Sequence, residues 1–250
     1  MEDILVFASL VKKYRVSKRQ GSLERSRVKT ALDGLSFSVK SGGIFGLLGP
    51  NGAGKTTAMR IAAGLISGDS GDVFVDGDSV RENKLTVQGK IAFVSEDLRL
   101  DEFFTPDYLF DFYSLLREVP IDTIKKRKVM MFERFGIRNY AHKQIAALSN
   151  GMRQMVSFVL SIVHDPPLLI FDEPTNGLDL VASRQVFDFL KEMNGQGKTI
   201  LLSTHLFNLV DKICDQVGII IDGRMVYSGP LSGINTETNL EDLFFSLYKS

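Results

Sequence analysis

The nine residues Gly49 to Thr57, GPNGAGKTT, follow directly on an apolar run, Gly43 to Leu48, GIFGLL. No other stretch limits the possible folds as much. A buried strand that gives way to a glycine-rich loop and then to a helix, KTTAMRIAAGL, leaves a row of backbone N–H groups facing outward at the loop. Gly49, Gly52 and Gly54 allow close approach where a Cβ would block it, and they permit the dihedrals such a loop requires. The helix, starting at about Lys55, adds the positive end of its dipole. The spacing Gly-x4-Gly-Lys-Thr over Gly49 to Thr56 therefore points to a nucleoside triphosphate. Lys55 is placed to reach the β- and γ-phosphates, and Thr56 to offer its hydroxyl to Mg2+. Asn51, Ala53 and Thr57 belong to the same nucleotide-binding stretch.

The surrounding pattern gives the fold class. Strand-like runs (residues 3–14, 31–40, GDVFVDG, KIAFVSE, PPLLIFDEP, KTILLSTH) alternate with helix-like ones, and Asp222-Gly223 marks a hairpin near the C-terminus. The expectation is an α/β chain: a P-loop NTPase core with a mostly parallel sheet, an antiparallel β subdomain and an inserted helical subdomain. All 250 residues read as one domain, with the helical part at about 100–165. There PDYLFDFYSLLREV and IDTIKKRKVMMFERFG carry helical apolar spacing with Pro or Gly punctuation.

Composition removes several classes. Thirty basic residues balance thirty acidic ones, which argues against a dedicated nucleic-acid binder. The single cysteine, Cys214, excludes an internal disulfide and fits a reducing compartment. No apolar stretch approaches the roughly 20 residues that span a bilayer, and the first residues lack the charge pattern of a secretory signal. Work at a membrane would need another chain to supply the membrane part.

LLIFDEP places Asp172 and Glu173 at the carboxyl end of a buried strand, where open parallel sheets bind ligands. Asp172 is then placed to hold Mg2+, and Glu173 to accept a proton from an attacking water. Helix-capping acids are the structural alternative. His205 closes the strand ILLSTH and is either structural or a contact to the γ-phosphate.

With these pieces in order, the chain resembles the nucleotide-binding subunit of an ABC transporter along nearly its whole length. It carries GPNGAGKTT (Walker A), LSNGMRQ (signature), LLIFDEP (Walker B), NGLD (D-loop) and STH (switch histidine). The resemblance implies ATP and Mg2+ as ligands, Glu173 as base and His205 as switch. It implies that Tyr14 stacks on adenine, although Tyr14 could equally be core. Ser149 and Gly151 of the signature would contact the nucleotide of the opposite subunit, though locally they read as a helix N-cap. Asp179 would couple the two sites. Glu96 stands where the family's Q-loop glutamine usually lies, and would touch nucleotide and metal. Asn150 and Met152 depart from the usual LSGGQ.

The resemblance further implies an ATP-dependent head-to-tail dimer, with itself or a homologous subunit, and separately encoded transmembrane permease subunits. It places the protein in the cytoplasm, peripheral on the inner face of the cell membrane, with no nucleic-acid partner. The motif wording looks most like subunits of bacterial exporters. A regulatory module with little turnover and a soluble ABC-type ATPase without a permease are the rival expectations. Phe103, Phe104 and Tyr108 are candidates for a helix-in-groove contact with the permease. The base-rich segment from Arg15 to Lys29 is either a solvated loop or a contact with lipid headgroups or permease.

Overall fold

The computed structural model describes residues 2–16, 27–95, 100–234 and 239–249. Two sheets organise the chain. The first is antiparallel, with strand order β2-β1-β4-β5, formed by β1 (Asp3–Val16), β2 (Arg27–Lys40), β4 (Ser70–Val75) and β5 (Asp78–Ser79). The second has order β10-β9-β3-β8-β7-β6, from β3 (Ile44–Leu48), β6 (Ile91–Ser95), β7 (Leu168–Asp172), β8 (Thr199–Thr204), β9 (Gln216–Ile221) and β10 (Arg224–Pro230). Its strands pair in parallel except at the edge, where β10 runs antiparallel to β9. The expected α/β architecture is the one observed.

β3, β7 and β8 are buried along their whole length, as strands covered on both faces must be. Side-chain alternation divides them between two cores. One face carries Phe45, Leu47, Leu168, Ile170 and Leu201, and packs against helix α1 (Lys55–Ala62) and the antiparallel sheet. Stacked rings link the two sheets there: Phe7 on Phe37 at 4.3 Å and Phe37 on Phe45 at 5.4 Å. The other face carries Leu169, Phe171, Ile200 and Leu202, and is covered by α5 (Asn150–Ser161), α6 (Leu180–Gly195) and α7 (Phe207–Ile213).

Between β6 and β7 the chain is helical: α3 (Pro106–Leu116), α4 (Ile121–Arg134), two short 3-10 turns and then α5. α3 starts where Thr105 Oγ1 accepts from Tyr108 N and Pro106 fills the first position. Phe110 of α3 meets Phe132 of α4 edge to face at 5.4 Å. The last helix, α8 (Leu240–Lys249), follows the hairpin.

β1 and β2 run further than expected because their pairing continues outward to Tyr14 with Lys29 and Val16 with Arg27. The short helix α2 (Lys84–Gly89) buries only Val87, so it leaves no apolar pattern to read. Residues 17–26 of the basic segment and Glu96 lie outside the described residues.

Candidate active site

Parallel pairing sets the site. Leu47, Ser203 and Asp172 stand side by side on three adjacent strands, and the chain leaves all three strands within two residues of that row. The glycine-rich loop emerges from β3 at the same edge.

Two glycines in the loop are dictated by neighbouring backbone. A Cβ on Gly49 would lie 2.4 Å from the carbonyl oxygen of Ile220, and one on Gly54 would lie 2.5 Å from that of Ala31. Gly54 also has φ 109°, outside the range of L side chains. The loop is held from outside by the β9–β10 turn. Gly223 N donates to Ala53 O at 2.9 Å, and Gly223 O accepts from Asp33 N at 3.0 Å. Arg224 and Asp33 add an ion pair beside these bonds. Ala53 is itself buried.

Lys55, the first residue of α1, is buried. Its ammonium donates to Gly49 O at 2.7 Å and lies 3.5 Å from Glu173 Oε1. The other oxygen of Glu173, Oε2, is 3.0 Å from His205 Nδ1. One carboxylate thus joins the lysine of the phosphate loop to the histidine after β8. Glu173 reaches both because its backbone turns into the left-handed region, φ 50°. Such a conformation costs on the order of 1–3 kcal/mol in a residue with a Cβ. Its N–H donates to Ser203 Oγ at 3.0 Å, which holds the turn. His205 begins the turn beyond β8, since the strand itself ends at Thr204.

Asp172 is 5% exposed and accepts from Ser203 Oγ at 2.5 Å. It does not cap a helix. Ser203, buried between the two acids, accepts from one and donates to the other, and the sequence reading missed it. The parallel register of β7 with β8, which pairs Asp172 with Ser203, brings it to the site. Ser203→Ala is expected to cost about 1–3 kcal/mol of stability, because it strands a buried carboxylate oxygen and a backbone N–H. Turnover is expected to fall more than nucleotide affinity. Denaturant midpoints and kcat with KM check both.

A cavity of about 300 Å³ opens over the loop. Tyr14, Lys29, Ala31, Pro50, Asn51, Gly52, Gly54, Lys55, Thr56, Thr57 and Glu173 line it. Tyr14 is 41% exposed, so it is a wall of the cavity and not core. The donor set fits a polyphosphate with Mg2+. The glycine-rich loop, the buried Lys55 and Thr56 with its hydroxyl line the cavity, and Asp172, next in the chain to the lining Glu173, adds a carboxylate beside it. Among the described residues no cluster of three or more His, Cys, Asp or Glu could cage a metal alone.

Ser149, Gly151 and Asp179 do not line this cavity. Ser149 caps α5 by accepting from Met152 N at 3.3 Å, and Asp179 caps α6 by accepting from Ala182 N at 2.8 Å. The two helix starts abut, since a Cβ on Gly151 would lie 2.7 Å from that of Ala182. The starts of α5 and α6 therefore adjoin. Asn150 Oδ1 accepts from Arg153. β6 ends at Ser95, paired with Asp172, directly before Glu96.

The ABC transporter family profile matches residues 32–176, more than half the chain. The chain belongs to the ABC transporter family. A profile of an AAA domain also matches residues 143–211. The chain is 35% identical to Nod factor export ATP-binding protein I of Ralstonia nicotianae over 210 residues, 84% of this chain and 65% of that protein. The chain thus spans just under two thirds of that relative's length. It is 33% identical to ABC transporter ATP-binding protein NatA of Bacillus subtilis over 221 residues, 88% of this chain and 90% of that one. A solved ATP-binding subunit of an ABC transporter superposes with TM-score 0.83 at 26% identity, covering 98% of this chain and 99% of that chain.

Proposed function

We propose that this chain is the ATP-binding and ATP-hydrolysing motor subunit of an ABC transporter, and that it works on substrate export. The observation that carries the reading is the contiguous set Lys55–Glu173–His205 beside Asp172–Ser203, gathered where the phosphate loop leaves the sheet.

Loop amides and Lys55 bind the phosphates, and Tyr14 offers its ring to the base. Thr56, Asp172 and Glu96 are the residues that would hold Mg2+, which neutralises phosphate charge when bound. Glu173 accepts a proton from water as its oxygen bonds to the γ-phosphorus. The bond from that phosphorus to the β,γ-bridging oxygen breaks, releasing ADP and phosphate. His205, 3.0 Å from Glu173, orients the carboxylate and faces the γ-phosphate. Ser149, Gly151 and Asp179 lie on a face of their own, as expected of groups that serve a second copy's nucleotide. The active form is then an ATP-dependent dimer, with itself or a homologous subunit, peripheral on the inner face of the membrane.

Among the described residues no helix is long and apolar enough to cross a membrane. In this reading separately encoded permease subunits carry the substrate. We assign the whole of 1–250 to one ABC-type ATPase domain, with the helical subdomain at about 100–165 as the permease-facing part. Phe103 is 82% exposed, and Phe104 stacks on Tyr108 at 4.6 Å, which in turn faces Phe112 at 6.3 Å. Such a surface ladder suits a short helix from the permease. Phe104→Ala with Tyr108→Ala is expected to leave the chain's own ATPase unchanged while abolishing its stimulation by the permease. Loss of both activities would instead mean damaged folding.

Export draws support from the Ralstonia relative, a Nod factor export ATP-binding protein. Steady-state MgATP hydrolysis by the purified chain tests the central reading. ATP binding without turnover, alone or with its partners, would favour an ATP-gated regulatory module. Turnover with no recoverable permease complex would favour a soluble ATPase.

A further inference from the structure

We propose that Lys29 is a nucleotide-binding residue whose ammonium contacts the phosphate chain from the outer side of the loop, across from Lys55. The inference rests on the reading of the cavity as an ATP site and adds a residue to it.

Lys29 sits on β2 directly opposite Tyr14 of β1, so the strand that presents one wall of the cavity fixes the other. It lines the cavity over the loop. Its Nζ lies 3.8 Å from where a Cβ of Gly52 would stand. The ammonium thus lies within van der Waals range of the loop at Gly52.

Charge makes the case stronger. Lys55 is already engaged, 2.7 Å from Gly49 O and 3.5 Å from Glu173. Lys12, whose Nζ lies over the Tyr14 ring at 5.5 Å from its centroid, pairs with Asp69 at 3.4 Å. Among the described residues Lys29 has no ion pair, and it is the second cation lining the cavity. A triphosphate brings more negative charge than Lys55 offsets after its contact with Glu173. A lysine on a flexible stem acts as a movable point charge and can follow the phosphates without a fixed fork.

A contact made equally in the bound and transition states changes KM and leaves kcat alone. The test uses the full chain as wild type, Lys29→Ala and Lys29→Arg. Affinity for a non-hydrolysable ATP analogue with Mg2+ is measured at low and high salt, together with kcat and KM for ATP.

Lys29→Ala is expected to weaken analogue binding about tenfold at low salt, the scale of one charge-assisted hydrogen bond. Lys29→Arg is expected to restore most of it, and the gap to narrow as salt screens the rim charge. Unchanged affinity in Lys29→Ala would overturn the inference. So would a fall in kcat at unchanged affinity, or an equal loss in both variants with a lowered melting temperature. Wild type that binds no analogue would remove the ATP site itself, whereas binding that ignores Lys29 removes only this residue's part.

Discussion

Glu173→Gln is expected to lower kcat for MgATP about 10²- to 10⁴-fold, the usual share of a positioned general base. The glutamine keeps the shape of the side chain, and the turn at 173 is held by its backbone N–H on Ser203, so the fold should survive. What disappears is the carboxylate that stands 3.0 Å from His205 and 3.5 Å from Lys55. Nucleotide affinity should hold or rise, because a negative charge beside the phosphates is removed. Phosphate release measured at saturating ATP, with sizing of both proteins in ATP, checks the two halves together. The expected pair of results is a slow variant that accumulates as an ATP-dependent dimer. Turnover close to wild type would remove Glu173 as base.

Phe158→Ala is expected to cost about 3–5 kcal/mol, as deletion of a fully buried ring does. Phe158 lies 4.9 Å from Phe171 and 5.3 Å from Phe189, ring to ring, at the junction of α5, β7 and α6. Domains are stable by only about 5–15 kcal/mol, so the loss takes a large share. Urea unfolding midpoints should fall from wild type to the milder Phe158→Leu and then to Phe158→Ala. The ring joins the helix that begins with the signature to the strand that ends in Asp172 and the helix capped by Asp179. Its removal should therefore loosen dimer closure at concentrations where the monomer remains folded. Equal stability of Phe158→Ala and wild type would show that the three elements do not share a core.

The parts of the site that were legible from the sequence are those whose chemistry is local. GPNGAGKTT announces itself because a loop that hugs phosphate must be bare of Cβ atoms, and the acids of LLIFDEP follow an apolar run whose end is marked. Ser203 and Lys29 left no comparable mark. Ser203 matters because β8 lies between β3 and β7, an adjacency set by strand order and not by spacing along the chain. Lys29 matters because β2 pairs with β1 out to Tyr14, beyond where the apolar alternation stops. The sequence also cannot tell a cap from a trans contact at Ser149 and Asp179. Both side chains do cap their own helices, and capping by a side-chain oxygen leaves the other face of the residue available.

The bridge from the β9–β10 turn to the phosphate loop bears on how nucleotide binding is felt elsewhere. A loop tied at Ala53 to Gly223, and through Gly223 to Asp33, has little conformational freedom left to lose when phosphates arrive. Binding free energy that a floppy loop would consume in ordering itself stays available for displacing other parts of the molecule. The stiff element receives the ligand and the compliant ones answer it. Amide exchange should report this as slow exchange at Gly223 and Asp33, the two donors of the bridge, before any nucleotide is added, with the ligand-induced protection appearing elsewhere.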